Sequence, residues 1–146
     1  LAGKSDYLEN KFIDWLFRGQ SFTAPSSIYV ALLTSAPSDA GGGTEVSGGA
    51  YARVQVVSSL ANWAGTQSVG STTASSGSGG QTSNNGSIVF PSPVGANWGV
   101  VTHFGLYDAV SGGNLLYWAA LTTPKTVNDG DSPPTFLAGA LTITEE

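Results

Sequence analysis

The stretch from Val101 to Leu121, VTHFGLYDAVSGGNLLYWAAL, holds the only histidine of the chain, His103, and an aspartate shortly after it, Asp108. An imidazole oriented by a carboxylate is the basic half of a serine-hydrolase centre, which also needs a serine hydroxyl within reach. If residues 101–108 form a strand, Val101, His103, Gly105 and Tyr107 share one face and Thr102, Phe104, Leu106 and Asp108 share the other. His103 and Asp108 then point apart. No G-x-S-x-G elbow supplies a nucleophile, because SSGSGGQ, residues 75–81, spaces its glycines wrongly. One histidine and no cysteine preclude the usual zinc sets. NDGD at 128–131 has too few acidic oxygens for a calcium loop and reads as a plain turn. There is no P-loop and no dinucleotide fingerprint. The expectation is a protein that is not an enzyme and has no metal and no cofactor, with His103 packed and hydrogen-bonded.

Side chains that bind rather than react are better represented. Of the tryptophans Trp15, Trp63, Trp98 and Trp118, two close an Ala-Asn-Trp triplet, Ala61-Asn62-Trp63 and Ala96-Asn97-Trp98. A loop tryptophan among neutral amides and hydroxyls stacks on a sugar ring, anchors a protein interface, or folds back over the end of a core. The candidate interface or ligand contacts are Phe12 and Trp15 near the amino terminus, Trp63 and Trp98, and Ser71 and Ser78 in a Gly/Ser-rich stretch.

Charge narrows the partners. Only 10% of residues are charged, against about 25% in an ordinary soluble domain, and no Asp, Glu, Lys or Arg lies between Arg53 and Asp108. Such a neutral surface suits contact with neighbouring subunits or a neutral ligand. A net charge of −5 with five Lys and Arg argues against nucleic acid. The sequence lacks both a secretory-signal pattern at its start and an apolar run of about 18 residues, so a soluble protein without membrane contact is expected. Without cysteine, the fold stands on packing alone.

The elements that must position these side chains are one helix and then strands. SDYLENKFIDWLFRGQ predicts a helix over about 5–18, with Ser5 as N-cap, Asp6 and Glu9 in the first turn, Arg18 in the last and Gly19 beyond it. Leu8, Phe12, Trp15 and Leu16 mark its apolar face, widened by Ile13 and Phe17, and the domain's own sheet is expected to cover it ahead of a neighbouring subunit. Strands follow from about 27 to 143, in SSIYVALLT, AYARVQVVSS, SIVF, VVTHFGLYD, NLLYWAAL, KTVN and TFLAGALTIT. The Gly/Ser-rich segment at about 65–86 has the composition of a flexible linker or a long surface loop. The whole chain, 1–146, reads as a single-domain, mainly β fold, a β-sandwich or jelly-roll-like fold with one N-terminal amphipathic helix.

AGKSDYLENK at the amino terminus, TEVSGGAYAR at 44–53, FPSPVGANWGVVTHFGLYDAVSGGNLLYWAALTTPKTVNDGD at 90–131 and the closing AGALTIT together resemble a family of small tailed-bacteriophage virion proteins commonly labelled tail fibre proteins. The resemblance spans nearly the whole chain. It implies a structural component of the virion, assembled in the host cytoplasm, and brings no catalytic or metal-binding residue with it.

The chain has no heptads, no repeat of fixed period and no stalk-like stretch. The reading that follows is an accessory decoration or cement protein on the particle surface, on the capsid ahead of the tail. The alternatives are a tail-fibre component and a receptor- or glycan-binding module. The expected partners are further copies of itself, as a dimer or trimer, and other virion proteins such as the major capsid protein. Aspartates at Ser71 and Ser78 are expected to cost the isolated fold little.

Overall fold

The run SIYVALLT is apolar without alternation, and a strand of that kind needs cover on both faces and partners on both edges. It has them in the computed structural model, which describes residues 3–145. The elements in order are β1 (Gly3–Lys4), α1 (Asp6–Phe17), β2 (Ser27–Ser35), β3 (Thr44–Glu45), β4 (Val54–Val57), β5 (Gln81–Ser83), β6 (Ile88–Val89), β7 (Gly99–Tyr107), β8 (Leu115–Val127), β9 (Thr135–Phe136) and β10 (Thr142–Thr144). Strand outweighs helix by 37% to 8%, so the fold is mainly β with one N-terminal helix, as the patterning predicts.

The main sheet is antiparallel and six-stranded, in the order β1-β8-β7-β2-β3, with β4 also on β2. β2 sits at its centre, and Val30, Ala31, Leu32 and Leu33 are all buried. The rest of the β structure is two separate two-stranded pieces, β5 with β10 and β6 with β9. One hydrophobic core draws side chains from all three sheets, among them Leu32, Phe104, Val127, Ile88 and Ile143. TFLAGALTIT is therefore not one strand: it divides into β9 and β10 at a turn in which Ala140 N donates to Leu137 O. KTVN is likewise not a strand of its own but the end of β8.

The β7–β8 hairpin corrects the predicted faces. Its register runs from Gly99 opposite Val127 to Tyr107 opposite Leu115, with two irregularities. Leu116 is extra between the pairs Leu106 with Tyr117 and Tyr107 with Leu115. Leu121 to Pro124 face only Thr102 between the pairs His103 with Ala120 and Val101 with Lys125. Unpaired residues break the two-residue period, so Val101 does not share the environment of His103; it joins Phe104 and Leu106 in the core. Pro124, which has no N–H to give a ladder, falls within the irregular part.

The helix begins as expected and ends one residue earlier, so that Arg18 lies past the last turn. The Ser5 hydroxyl accepts from Leu8 N at 3.2 Å, Arg18 is the C-cap, and Gly19 takes a φ of +68°. Its packing is different. No residue of α1 is buried, so the sheet does not cover the apolar face: Phe12 is 46% exposed, Trp15 52% and Phe17 76%. The helix is held at its amino end instead, where Ser5 N donates to Leu116 O and Asp6 N to Asp39 O.

The Gly/Ser-rich segment is folded rather than a free linker, because its own polar side chains replace a core. Gln67 Nε2 donates to the hydroxyls of Ser71 and Thr73 at 2.7 and 2.6 Å, and Thr66 Oγ1 donates to Ser76 O. The buried Asn84 ties the far end down, donating to Gly86 O and Leu137 O and accepting from Leu141 N at 3.0 Å. Asn85 donates to Ser71 O. Ser71 is thus a node of the loop, and an aspartate there is expected to disturb it; Ser78 is exposed and makes no side-chain hydrogen bond among the described residues.

Candidate functional site

The residues that first suggested catalysis are not brought together. Asp108 accepts from Asn114 N at 2.7 Å and from Asn114 Nδ2 at 2.9 Å, closing the turn between β7 and β8. His103 meets Thr102 Oγ1 through Nδ1 at 2.7 Å and lies 6.0 Å from the Trp118 ring. NDGD also spends its oxygens on backbone: Asp131 accepts from Asn128 N and Asp129 from Gly95 N. Among the described residues no three or more His, Asp or Glu side chains cluster as a metal site would require. His103→Ala is expected to lower stability by about 1 kcal/mol, the worth of one hydrogen bond. Urea unfolding checks this, and a loss several times larger would mean that His103 holds more than its neighbour.

The two Ala-Asn-Trp triplets have different fates. Trp98 is buried at 4% exposure; its Nε1 donates to Gly49 O at 2.8 Å, and its ring meets Tyr51 edge-on at 5.3 Å. That ring is core and offers no face to a sugar. Trp63 is half-buried and lines an apolar groove of ≈ 290 Å³ together with Leu8, Phe22, Ile28, Leu106 and Tyr117. Its Nε1 is buried without a hydrogen-bond partner among the described residues. Leu8 brings α1 to one wall of this groove, while Phe12 and Trp15 stand outside it, their rings 5.9 Å apart. The surface available for binding is therefore the outer face of α1 beside the groove.

A second arrangement escaped the sequence reading. Arg53 forms a bidentate pair with Glu45, Nε to Oε1 and Nη2 to Oε2, both at 2.8 Å. Its Nη1 donates to Ala109 O and Gly112 O, and its guanidinium lies 3.8 Å from the centre of the Tyr107 ring. Tyr51 Oη donates to Glu45 Oε1 at 2.8 Å and accepts from Leu32 N. The Arg53 side chain is 5% exposed and that of Glu45 28%. Burial alone raises the Glu45 carboxyl, but the hydrogen bonds from Arg53 and Tyr51 and the guanidinium charge outweigh it, so Glu45 titrates below its usual range. Burial drives the Tyr51 phenol far upward, and the bond to Glu45 adds to this. The network locks the β3–β4 connection to the β7–β8 turn. Its signal in the sequence was the motif EVSGGAYAR, whose spacing carries no known chemistry.

What the arrangement offers is an exposed apolar helix beside a β body whose segment Val54 to Tyr107 carries no Asp, Glu, Lys or Arg. No helix among the described residues is long and apolar enough to cross a membrane. No curated protein matches the chain. A family model described as podophage GP4 fiber I protein gp80 matches residues 3–144, and the chain belongs to that family.

Proposed function

We propose that the chain is a non-enzymatic structural protein of a podophage virion, serving as a compact module of its fibre apparatus attached through its surface. The match to the fibre family over residues 3–144 carries this reading. Its architecture supports the module rather than the stalk. The longest elements are a strand of 13 residues and a helix of 12, about 43 and 18 Å at the rises of strand and helix, and both belong to one globular body.

Capsid decoration is the second reading. It is favoured by the shape and by the uncharged stretch from Val54 to Tyr107, whose exposed residues suit a lattice of repeated contacts. Counting copies of the chain per purified particle against the major capsid protein, with antibody labelling of its position, separates the two. A few copies at the tail are expected for the fibre module and hundreds over the head for decoration. A purified particle without the chain would sink both.

A further inference from the structure

We propose that Asn85 is a latent modification site, a deamidating asparagine held unreactive by the closed Gly/Ser-rich loop and released when that loop opens. Asn85 is the one asparagine of the chain followed by glycine, and a residue without a Cβ lets its backbone nitrogen approach the preceding side chain. In this reaction Gly86 N gives up its proton and bonds to Asn85 Cγ, and the Cγ–Nδ2 bond breaks, the amide nitrogen leaving with that proton as ammonia. Water then opens the five-membered imide, at one carbonyl to aspartate and at the other to an isoaspartyl linkage. Water is the only co-reactant.

The attacking nitrogen is ready. Gly86 is exposed, and its N–H makes no hydrogen bond among the described residues. The amide under attack is restrained. Asn85 Nδ2 donates to Ala61 O at 3.1 Å and to Ser71 O at 3.2 Å, while Asn85 N donates to Asn62 O at 2.8 Å. Closing the ring draws Cγ onto Gly86 N and strains both side-chain bonds. Asn85 Oδ1 is buried and meets no donor among the described residues, so the negative charge that gathers on this oxygen during attack is left unsolvated. Both obstacles vanish once the loop opens to water. The change runs one way. A carboxylate at this position has no N–H to give, and its charge faces the carbonyl oxygens of Ala61 and Ser71, so the loop does not close again. The proposal stands apart from where the chain sits on the particle.

Its test is to warm the purified chain in mildly alkaline buffer and to follow the exchange of NH for O at Asn85 by mass spectrometry with fragmentation, beside the same chain in urea. Asn85 is expected to react about tenfold or more slowly in the folded chain. Gln67→Ala removes the bonds to Ser71 and Thr73 that shape the loop without touching Asn85, and is expected to speed the folded-state reaction several-fold. Gly86→Ala, where an added Cβ meets open space, is expected to fold as before and to slow the reaction in the folded and the unfolded chain alike. Wild-type chain aged until Asn85 has converted is expected to be cut by a nonspecific protease within residues 65–80 faster than fresh chain, and Gly86→Ala aged alongside it to resist. Asn85 reacting as fast in the folded chain as in urea, another asparagine reacting ahead of it in urea, or an unchanged rate in Gln67→Ala would overturn the proposal. Aged chain that withstands the protease as well as fresh chain would overturn its one-way opening.

Discussion

Arg53→Met is expected to cost about 3 kcal/mol, because it removes a buried guanidinium, strips the bidentate partner from a partly buried carboxylate and leaves Ala109 O and Gly112 O without their donor. Methionine keeps most of the side-chain volume, so the loss reports the charge and the hydrogen bonds rather than a cavity. Arg53→Lys should fall between the two, since an ammonium cannot engage both carboxylate oxygens and both carbonyls in one plane. Urea unfolding of the three proteins checks the order. A loss below about 1 kcal/mol for methionine would mean the pair does no better than an exposed one.

The same pair sets the acid limit. The Glu45 pKa in the fold lies below its ordinary 4.5, so its contribution is whole above that value and shrinks as pH falls through the folded pKa, where the native carboxylate takes up its proton. The melting temperature should drop on this acid limb. In Glu45→Gln, which has no proton to take up, the drop should be shallower.

Gly49→Ala is the second large effect expected, about 3 kcal/mol. Gly49 has a φ of +56°, and a Cβ there would lie 2.5 Å from Ala96 O and 2.7 Å from Trp98 Nε1. The substitution therefore adds backbone strain and displaces the indole that donates to the Gly49 carbonyl. Gly48 is the control: its φ of +75° is as unusual for an L residue, but an added Cβ meets open space. Gly48→Ala should cost only about 1 kcal/mol, the strain alone. Equal losses at the two positions would show that the close packing around Trp98 is not what demands glycine.

Local signals were legible wherever the structure depends on local chemistry. Ser5 and Gly19 bound the helix because a cap and a left-handed residue act within one turn, and the apolar run of β2 announces a central strand. Coverage was not legible. The apolar arc of α1 looks the same whether a sheet or another molecule lies against it, and only the position of the sheet shows that its own does not. The strand-face reading failed at Val101, since the break in register beside Thr102 is a property of two paired strands. At 65–86 the composition fits a free linker and a surface loop equally, and only the bonds that Gln67, Asn84 and Asn85 make within the fold distinguish them. Trp63 and Trp98 follow the same Ala-Asn dipeptide, but contacts with Gly49 and Tyr51, distant in sequence, make only Trp98 core.

The two ends of the described chain have a mechanical consequence. β1 holds to β8 through two residue pairs and β10 to β5 through three, and the ends are joined side by side by Lys4 and Glu145 at 2.6 Å, a pair open to solvent. Pulled apart at residues 3 and 145, the protein would lose that pair and unzip these short outer strands one residue at a time, while β2, β7 and β8 stayed clamped in the middle of the sheet. Peeling of this kind resists little force. Such a molecule is suited to carry load across its faces, sideways to the chain, rather than along the polypeptide from end to end.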